Sequence, residues 1–403
     1  MRSIFVRATA LCSSILMGAS LAWGAENLSK ASGAPAPDLP TPAHFLALQE
    51  KSRLIYKIGL APLKTSPVEE LSCGERPNEL RRVRSGDDWS LVEWRPAAEA
   101  APHFAKAEEL FSQHLLSEAA VEYHRGLELD PDYGPGWLYS GDVPFGKGDY
   151  AAALTAYRKA LALDPTLAQA HRFAADALLK MGRLDDAETE YVRALIYRPS
   201  YDGAWSGLEY LGRLAGFKVN RPAFSPPAGA LGERQGDRVS IGLAEKDMQW
   251  LGYFLCKAVW RNEPEYRQAH GFKGEKYAWS TQEERECLFS YLGGGLALAK
   301  NDPASLSSQA RHLEEVVKAD LLDGFLIVAV LGARCPLAVP LLSDSAFDQA
   351  EQYIRRFAIV RPSSAIQRFA GPAIDLRRNG KTDSALRSAT PPPRRPRSLP
   401  PGG

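Results

Sequence analysis

The side chains with the greatest potential for chemistry are histidines and paired carboxylates, and their spacing predicts neither a metal site nor a catalytic one. His103, His114 and His124 are 11 and 10 residues apart, so a helix does not place them on one face as ligands. Acidic pairs such as Glu283-Glu284 are typical of a solvated helix face. The chain contains no GxSxG, HExxH, Walker-loop, GxGxxG or EF-hand pattern. The sequence therefore predicts no catalytic residue, no metal ligand and no cofactor.

The cysteines indicate disulfide chemistry only if the chain is exported. Four of them lie outside the first 25 residues: Cys73, Cys256, Cys287 and Cys335. An even number in an exported protein permits two disulfides, in any of three pairings, with buried thiols as the alternative. Cys256 and Cys287 both fall on helices expected in one domain. No CxxC is present, so a redox or zinc role has little support.

The N-terminus has the pattern of a secretory signal peptide. Arg2 and Arg7 precede the apolar stretch 8–21, and small residues near position 25 offer a cleavage point. The apolar stretch is short for a membrane span, although an uncleaved anchor remains the alternative. We therefore assign 1–25 as a signal peptide and expect a periplasmic or secreted protein. Removal of the two arginines changes the net charge from +1 to −1, so no general attraction to nucleic acid is expected.

The elements that organise the chain are revealed by a repeat with a period of 34 residues. Pro131, Pro165 and Pro199 are 34 residues apart. Four more registers share this spacing: Trp137/His171/Trp205, Ala119/Ala153/Ala187, Tyr123/Tyr157/Tyr191 and Gly126/Ala160/Ala194. A fixed period of this length indicates one supersecondary unit, copied and stacked.

Each copy has the pattern of a helical hairpin. The segment 150–163 has apolar residues three and four positions apart, which gives a helix with one apolar stripe. Asp164-Pro165 ends it, because the residue before proline is pushed out of the α region. A second helix joined by a short loop must lie antiparallel to the first. Pro144 falls within the first helix of the middle copy, and we expect that helix to be short, kinked or frayed.

These residues resemble the tetratricopeptide repeat family over about 100–216. The copy with Ala175, Leu178, Gly182, Ala187 and Tyr191 fits the family pattern well. The copy ending at Pro131 has His103 where an aromatic is usual. The resemblance implies an all-α solenoid of three repeats, closed by a single helix at 201–216.

The resemblance also implies a concave groove, lined by the first helix of each repeat, that takes a peptide. The residues it places on that face carry both charge signs and several aromatic rings: Glu108, Tyr139, Asp142, Arg172, Phe173, Asp176, Lys180, Tyr210 and Arg213. Cytosolic chaperone-binding members need lysines, asparagines and an arginine at set groove positions. Those positions hold Phe104, Glu108, Tyr139, Gln169 and Phe173 here, so that binding mode is not supported.

The remaining segments resemble no family that we recognise. We predict a flexible leader and a poorly defined segment at 26–99, with a short helix near 44–58 and a strand at 89–94. A linker at 217–239 and a second helical domain at 240–376 follow. Within that domain Ser280 and Glu283 form a capping box. The tail 377–403 is rich in proline and arginine, and is expected to be disordered.

Three functions remain open from the sequence. The first is an exported adaptor or scaffold whose groove binds a protein or peptide partner. The second is an enzyme with catalysis in 240–362, for which a polar pocket near Glu265, His270, Lys273 or Glu283 would speak. The third is a structural protein held weakly to an anionic envelope surface by Arg394, Arg395 and Arg397.

Overall fold

The computed structural model describes residues 41–60, 78–86, 88–227, 231, 234–272, 277 and 279–362. The predicted signal peptide, the predicted disordered tail with its envelope contact, and Cys73 lie outside these residues, so those assignments stay predictions. Among the residues described, every helix is too short or too polar to cross a bilayer.

The described elements are helical, with three short two-stranded sheets. The first are α1 (Pro42–Lys51), β1 (Ile55–Gly59), β2 (Leu80–Ser85) and β3 (Asp88–Glu93). The repeats comprise α2 (Ala101–Ser112), α3 (Leu116–Leu129), α4 (Gly134–Gly146), α5 (Tyr150–Leu163), α6 (Ala168–Lys180), α7 (Leu184–Tyr197) and α8 (Asp202–Ala215). Then come β4 (Lys218–Val219), β5 (Arg238–Gly242), a 3₁₀ helix (Glu245–Trp250), α9 (Leu251–Asn262), α10 (Pro264–Ala269) and α11 (Thr281–Leu298). The last are α12 (Ser308–Lys318), α13 (Leu322–Phe325), a π-helix (Leu326–Leu331), α14 (Gly332–Arg334), a 3₁₀ helix (Pro336–Leu341), α15 (Asp344–Tyr353), a π-helix (Ile354–Ala358) and β6 (Ile359–Val360).

The chain forms two compact units, each discontinuous in sequence. The repeat unit contains the described residues of 78–222 together with 335–362, and the second unit contains 41–60 with those of 223–334. The consecutive domains expected from the sequence are therefore interleaved. The expected helical domain at 240–376 is divided after Arg334, because 335–362 pack with the repeats.

The hairpins of the repeat unit are held by small residues on their facing sides. Ala119, Ala153 and Ala187, one per repeat, are all 0% exposed. A larger side chain there would push the paired helices apart, since protein interiors are close-packed. The predicted solenoid of three helical pairs and a closing helix is confirmed, with α8 ending at Gly216 in the left-handed conformation (φ +82°).

A hydrogen bond connects two of the repeat registers. One is the ring register Trp137/His171/Trp205, and the other is the proline register Pro131/Pro165/Pro199. The indole N–H groups of Trp137 and Trp205 donate to the carbonyl oxygens of Pro131 and Pro199, each at 2.8 Å. In the middle register, His171 Nε2 lies 2.8 Å from the Pro165 carbonyl oxygen. The ring at the start of each first helix thus binds the turn that precedes it. This contact gives a physical reason why the two registers recur together.

Of the short, kinked or frayed first helix expected in the middle repeat, the shortening is not observed. The helix α4 keeps 13 residues and runs through Pro144, which lies in its last turn. Proline at this position removes one i→i−4 hydrogen bond, but only two residues of α4 follow it, so little helix remains to be disrupted. The Pro144 carbonyl still accepts from the N–H groups of Lys147 (3.1 Å) and Asp149 (2.9 Å).

The second unit is built around α9 and α11. The disulfide Cys256–Cys287 joins these helices, and both cysteines are fully buried. Cys335, in the repeat unit, is also disulfide-bonded. The helix expected near 44–58 ends at Lys51 instead, and 55–59 form a strand parallel to β5. The short apolar run 325–331 is buried.

The repeat unit has two further elements packed on its helices. The strand predicted at 89–94 exists as β3, which pairs antiparallel with β2. The segment expected to be a linker contains β4, which pairs with β6 at the C-terminal end of the described chain. Arg361 donates to Glu188 on α7 at 2.5 Å. Segments before and after the repeats thus meet on the array.

Candidate protein-binding surface of the repeats

All three acidic residues predicted to line the groove connect the two helices of their own repeat. Glu108, Asp142 and Asp176 are spaced by the repeat period. Each accepts a hydrogen bond from the tyrosine 15 residues later: Tyr123 to Glu108 at 2.6 Å, Tyr157 to Asp142 at 2.8 Å and Tyr191 to Asp176 at 2.6 Å. These carboxylates therefore have a structural role before they meet any ligand.

Burial and the neighbouring carboxylates favour the protonated, hydrogen-bond-donating form of these tyrosines. Burial, followed by the charge of the neighbouring carboxylate, raises the pKa of Tyr123 and Tyr157 well above the ordinary value. The same two causes raise the pKa of Tyr191. Since the phenol keeps its proton, each repeat keeps its link between first and second helix.

Arg172, the basic residue at the centre of the predicted groove, is also engaged in a contact within the fold. Arg172 is 4% exposed, and its guanidinium lies 3.0 Å from the Asp176 carboxylate. Burial opposes the charge on Arg172, but the Asp176 carboxylate outweighs it and raises the pKa of the guanidinium. Phe173 is buried as well, with its ring centroid 5.7 Å from that of Tyr157. These residues fill the array rather than face an open groove.

Parts of the first-helix row on α4, α6 and α8 remain accessible. Arg213 on α8 is exposed, and its guanidinium lies 5.4 Å from the half-buried Tyr210 ring. Lys180, at the end of α6, is half-exposed, as are Tyr139 and Asp142 on α4. The structure thus leaves a surface of mixed charge with aromatic rings at both sides of the buried centre.

The sequence did not predict a contact between Asn78, which lies before β2, and the first helices of the repeats. The Asn78 amide nitrogen donates to the Tyr139 hydroxyl at 3.0 Å and to Gln169 Oε1. A small open cleft of about 20 Å³ adjoins this contact, lined by Asn78, Thr166, Leu167, Ala168, Gln169, Tyr197, Arg198 and Pro336. No spacing or motif near Asn78 predicts this contact, because it joins residues 61 and 91 positions apart in sequence.

Family profiles agree with this geometry. Two profiles described as tetratricopeptide repeat match residues 104–168 and 145–209. Residues 104–209 are tetratricopeptide repeats. The match covers about a quarter of the chain, and no curated protein sequence matches it.

Solved tetratricopeptide domains resemble the same part of the chain. The first such domain of human RPAP3 is 24% identical, with 29% of this chain and 94% of that chain covered and a TM-score of 0.29. The Sgt2 domain from Aspergillus fumigatus is 20% identical, covering 36% of this chain and 95% of that chain (TM-score 0.30). The Yersinia enterocolitica secretion chaperone SycD, solved with a peptide of the translocator YopD, is 19% identical (28% of this chain, 92% of that chain, TM-score 0.27).

Outside the tetratricopeptide repeats, the strongest cluster of charged groups lies buried in the second unit. Lys257 donates to Glu283 at 2.8 Å and to Glu284 at 2.6 Å. Glu284 also accepts from the Tyr253 hydroxyl at 2.6 Å and from Arg334 at 3.1 Å. Both carboxylates are 0% exposed. The solvated face predicted for Glu283-Glu284 was therefore wrong, since both residues face the interior.

The electrostatics of this cluster favour a structural role. Burial opposes ionisation of Glu284, but the charges of Lys257 and Arg334 lower its pKa to about 2. The two carboxylates in turn raise the pKa of Lys257 despite its burial. Ser280 caps α11 by accepting from the Glu283 N–H at 3.1 Å, whereas the Glu283 carboxylate binds Lys257 instead of closing the capping box. The groups are paired and away from solvent, which gives no support to catalysis at Glu283. No set of three or more metal-ligating side chains is grouped within the described residues.

Proposed function

We propose that this chain is an exported adaptor or scaffold whose tetratricopeptide repeats bind a protein partner. Arrays of this family take an extended or helical peptide along their first helices. The N-terminal pattern of two arginines and an apolar stretch supports export. The disulfide Cys256–Cys287 supports an oxidising compartment.

This proposal is based on the accessible surface that the first helices α4 and α6 and the closing helix α8 leave exposed. The helix α8 carries Tyr210 and Arg213, and Lys180 lies at the end of α6. The helix α4 carries Tyr139 and Asp142. Exposed charges of both signs steer and orient a partner, while aromatic rings carry more of the affinity. The surface therefore suits a peptide that also carries both signs.

Charge reversal at two accessible positions tests this function. The variant Lys180→Glu with Arg213→Glu should lose a partner that co-purifies with the mature chain from its native source. Arg172 is unsuitable for this test, because it is buried and its guanidinium is paired with Asp176. Arg158→Glu, an exposed position on the second helix α5, is the matched control. Equal capture by the double variant and the wild type would remove the groove from the function.

A further inference from the structure

The feature that carries a further inference is the β2–β3 hairpin, which lies against the repeats. As described above, Asn78, two residues before β2, donates to Tyr139 on α4 and Gln169 on α6. Both acceptors belong to first helices of neighbouring repeats. An amide side chain of the chain itself thus bridges two repeats at the row of helices where we propose that partners bind.

A second contact lies four residues further along the chain. The backbone N–H of Arg82 donates to Asp164 at 3.0 Å, at the C-terminal end of α5. The Arg82 guanidinium lies 3.4 Å from the Trp89 ring centroid. It also donates to the Leu342 carbonyl at 2.7 Å and to Asp344 at 3.1 Å. The strand is therefore fixed to the repeats at two points, and Arg82 ties it to the segment leading into α15.

The strands of the hairpin are attached mainly through polar contacts, and the buried apolar anchor is Trp94 directly after β3, which is 5% exposed. Every residue of β2 and β3 whose burial is described is half-buried or exposed. By contrast, all of α6 except Gln169 and Lys180 is buried. Elements with few buried apolar groups open at low free energy without unfolding the core. The hairpin is therefore the part of the repeat unit best suited to exchange.

We propose that Tyr139, Gln169 and Asp164 form a peptide subsite that the chain keeps filled with its own residues 78–82. Its external partner is an extended segment with an amide side chain four residues before an arginine, whose guanidinium takes the place of Arg82 at the Leu342 carbonyl and Asp344. Such a segment supplies the donor for Tyr139 and Gln169 and a backbone N–H for Asp164. The hairpin and the partner compete, so binding requires the hairpin to leave. This inference rests on the proposed function and names the partner's chemistry.

A labelled peptide of the chain's own sequence tests the exchange. The probe is a synthetic fluorescein-labelled peptide of residues 78–94, and the host is the full chain carrying Asn78→Ala and Arg82→Ala. Fluorescence polarisation should show a Kd at least about tenfold lower for this host than for the wild type, since each lost hydrogen bond weakens the internal competitor. A probe with the same two alanines should bind the host more weakly.

The control host is Arg84→Ala. Arg84 lies on the same strand, but its guanidinium donates within the hairpin, to the Gly86 carbonyl at 3.2 Å. This variant should bind the probe no better than the wild type. Equal binding to all three hosts, or binding to none of them, would overturn the proposal and make the hairpin a fixed part of the fold.

If the double variant does not fold, amide hydrogen exchange of a single variant still tests the proposal. In the single variant Asn78→Ala, the amides of β2 and β3 should exchange about tenfold faster than in the wild type, with α6 unchanged. Unchanged exchange in the hairpin would contradict the proposal. Neither probe binding nor hydrogen exchange depends on an external partner. A negative result in these two measurements is therefore distinguishable from a negative result in the partner-capture test with Lys180→Glu and Arg213→Glu.

Discussion

Removal of the tyrosine hydroxyls from the three repeats should produce a graded loss of stability. The three hydrogen bonds have the same geometry, but the acceptors differ in burial. Asp176 is 5% exposed and its donor Tyr191 is 0% exposed, whereas Glu108 is half-exposed. A buried bond to a charged group is worth about 2–3 kcal/mol, and a solvated one about 0.5–1 kcal/mol. Since Glu108 and Asp142 are both half-exposed, we expect Tyr191→Phe to cost more than either Tyr157→Phe or Tyr123→Phe.

Amide hydrogen exchange measured on the intact chain resolves the three repeats separately. A loss of about 2 kcal/mol in the free energy of opening raises the exchange rate about thirtyfold for the amides that open with α7. Tyr150→Phe is the matched control, since its ring packs 5.3 Å from Phe145 and its hydroxyl has no hydrogen-bond partner among the described residues. A double-mutant cycle of Tyr157→Phe with Asp142→Asn should give a coupling of about 1–2 kcal/mol.

Two outcomes would refute this reasoning. If all three variants lose the same stability, burial of the acceptor does not set the strength of these bonds. If Tyr191→Phe behaves like Tyr150→Phe, the hydrogen bond between the helices contributes nothing, and packing alone holds the hairpin.

Three further predictions concern the second unit. Replacing both Cys256 and Cys287 by alanine should cost about 4 kcal/mol, because the disulfide closes a loop with a sequence separation of 31; an unchanged melting temperature would contradict this. Lys257→Met removes the ammonium shared by buried Glu283 and Glu284, leaving Arg334 as a cation partner of Glu284 alone, and should cost about 3–5 kcal/mol in urea unfolding, whereas a loss below about 1 kcal/mol would show that the charges are solvated. The depressed pKa of Glu284, about 2 against an ordinary 4.5, contributes about 3 kcal/mol that is present above pH 4.5 and lost as the pH falls towards 2. In Glu284→Gln this part of the acid sensitivity should be absent, and an identical acid profile would be evidence against it.

The sequence predicted those features that depend on local spacing. The 34-residue registers specify the hairpins because each ring, alanine and proline acts within its own repeat or the next one. The single closing helix followed from Trp205, which had a place in the register but no following proline.

Features that depend on distant contacts could not be predicted. Arg172 was assigned to an open groove, but its neighbours bury it against Asp176, and a pattern of charges does not reveal burial. Asn78 and Arg82 bind residues far away in sequence, as does Lys257 with Glu283. The interleaving of the two units has the same cause, since only the folded chain shows which segments return to the repeats.

The most direct test of the central claim is site-specific photo-cross-linking from the repeats. A photoreactive phenylalanine analogue at Tyr210, on the accessible first-helix surface, should cross-link one discrete protein when the chain is expressed in its native source. The same analogue at exposed Arg158, on the second helix of the middle repeat, should not. The same products from both positions, or no product from position 210, would contradict a partner-binding role for this surface.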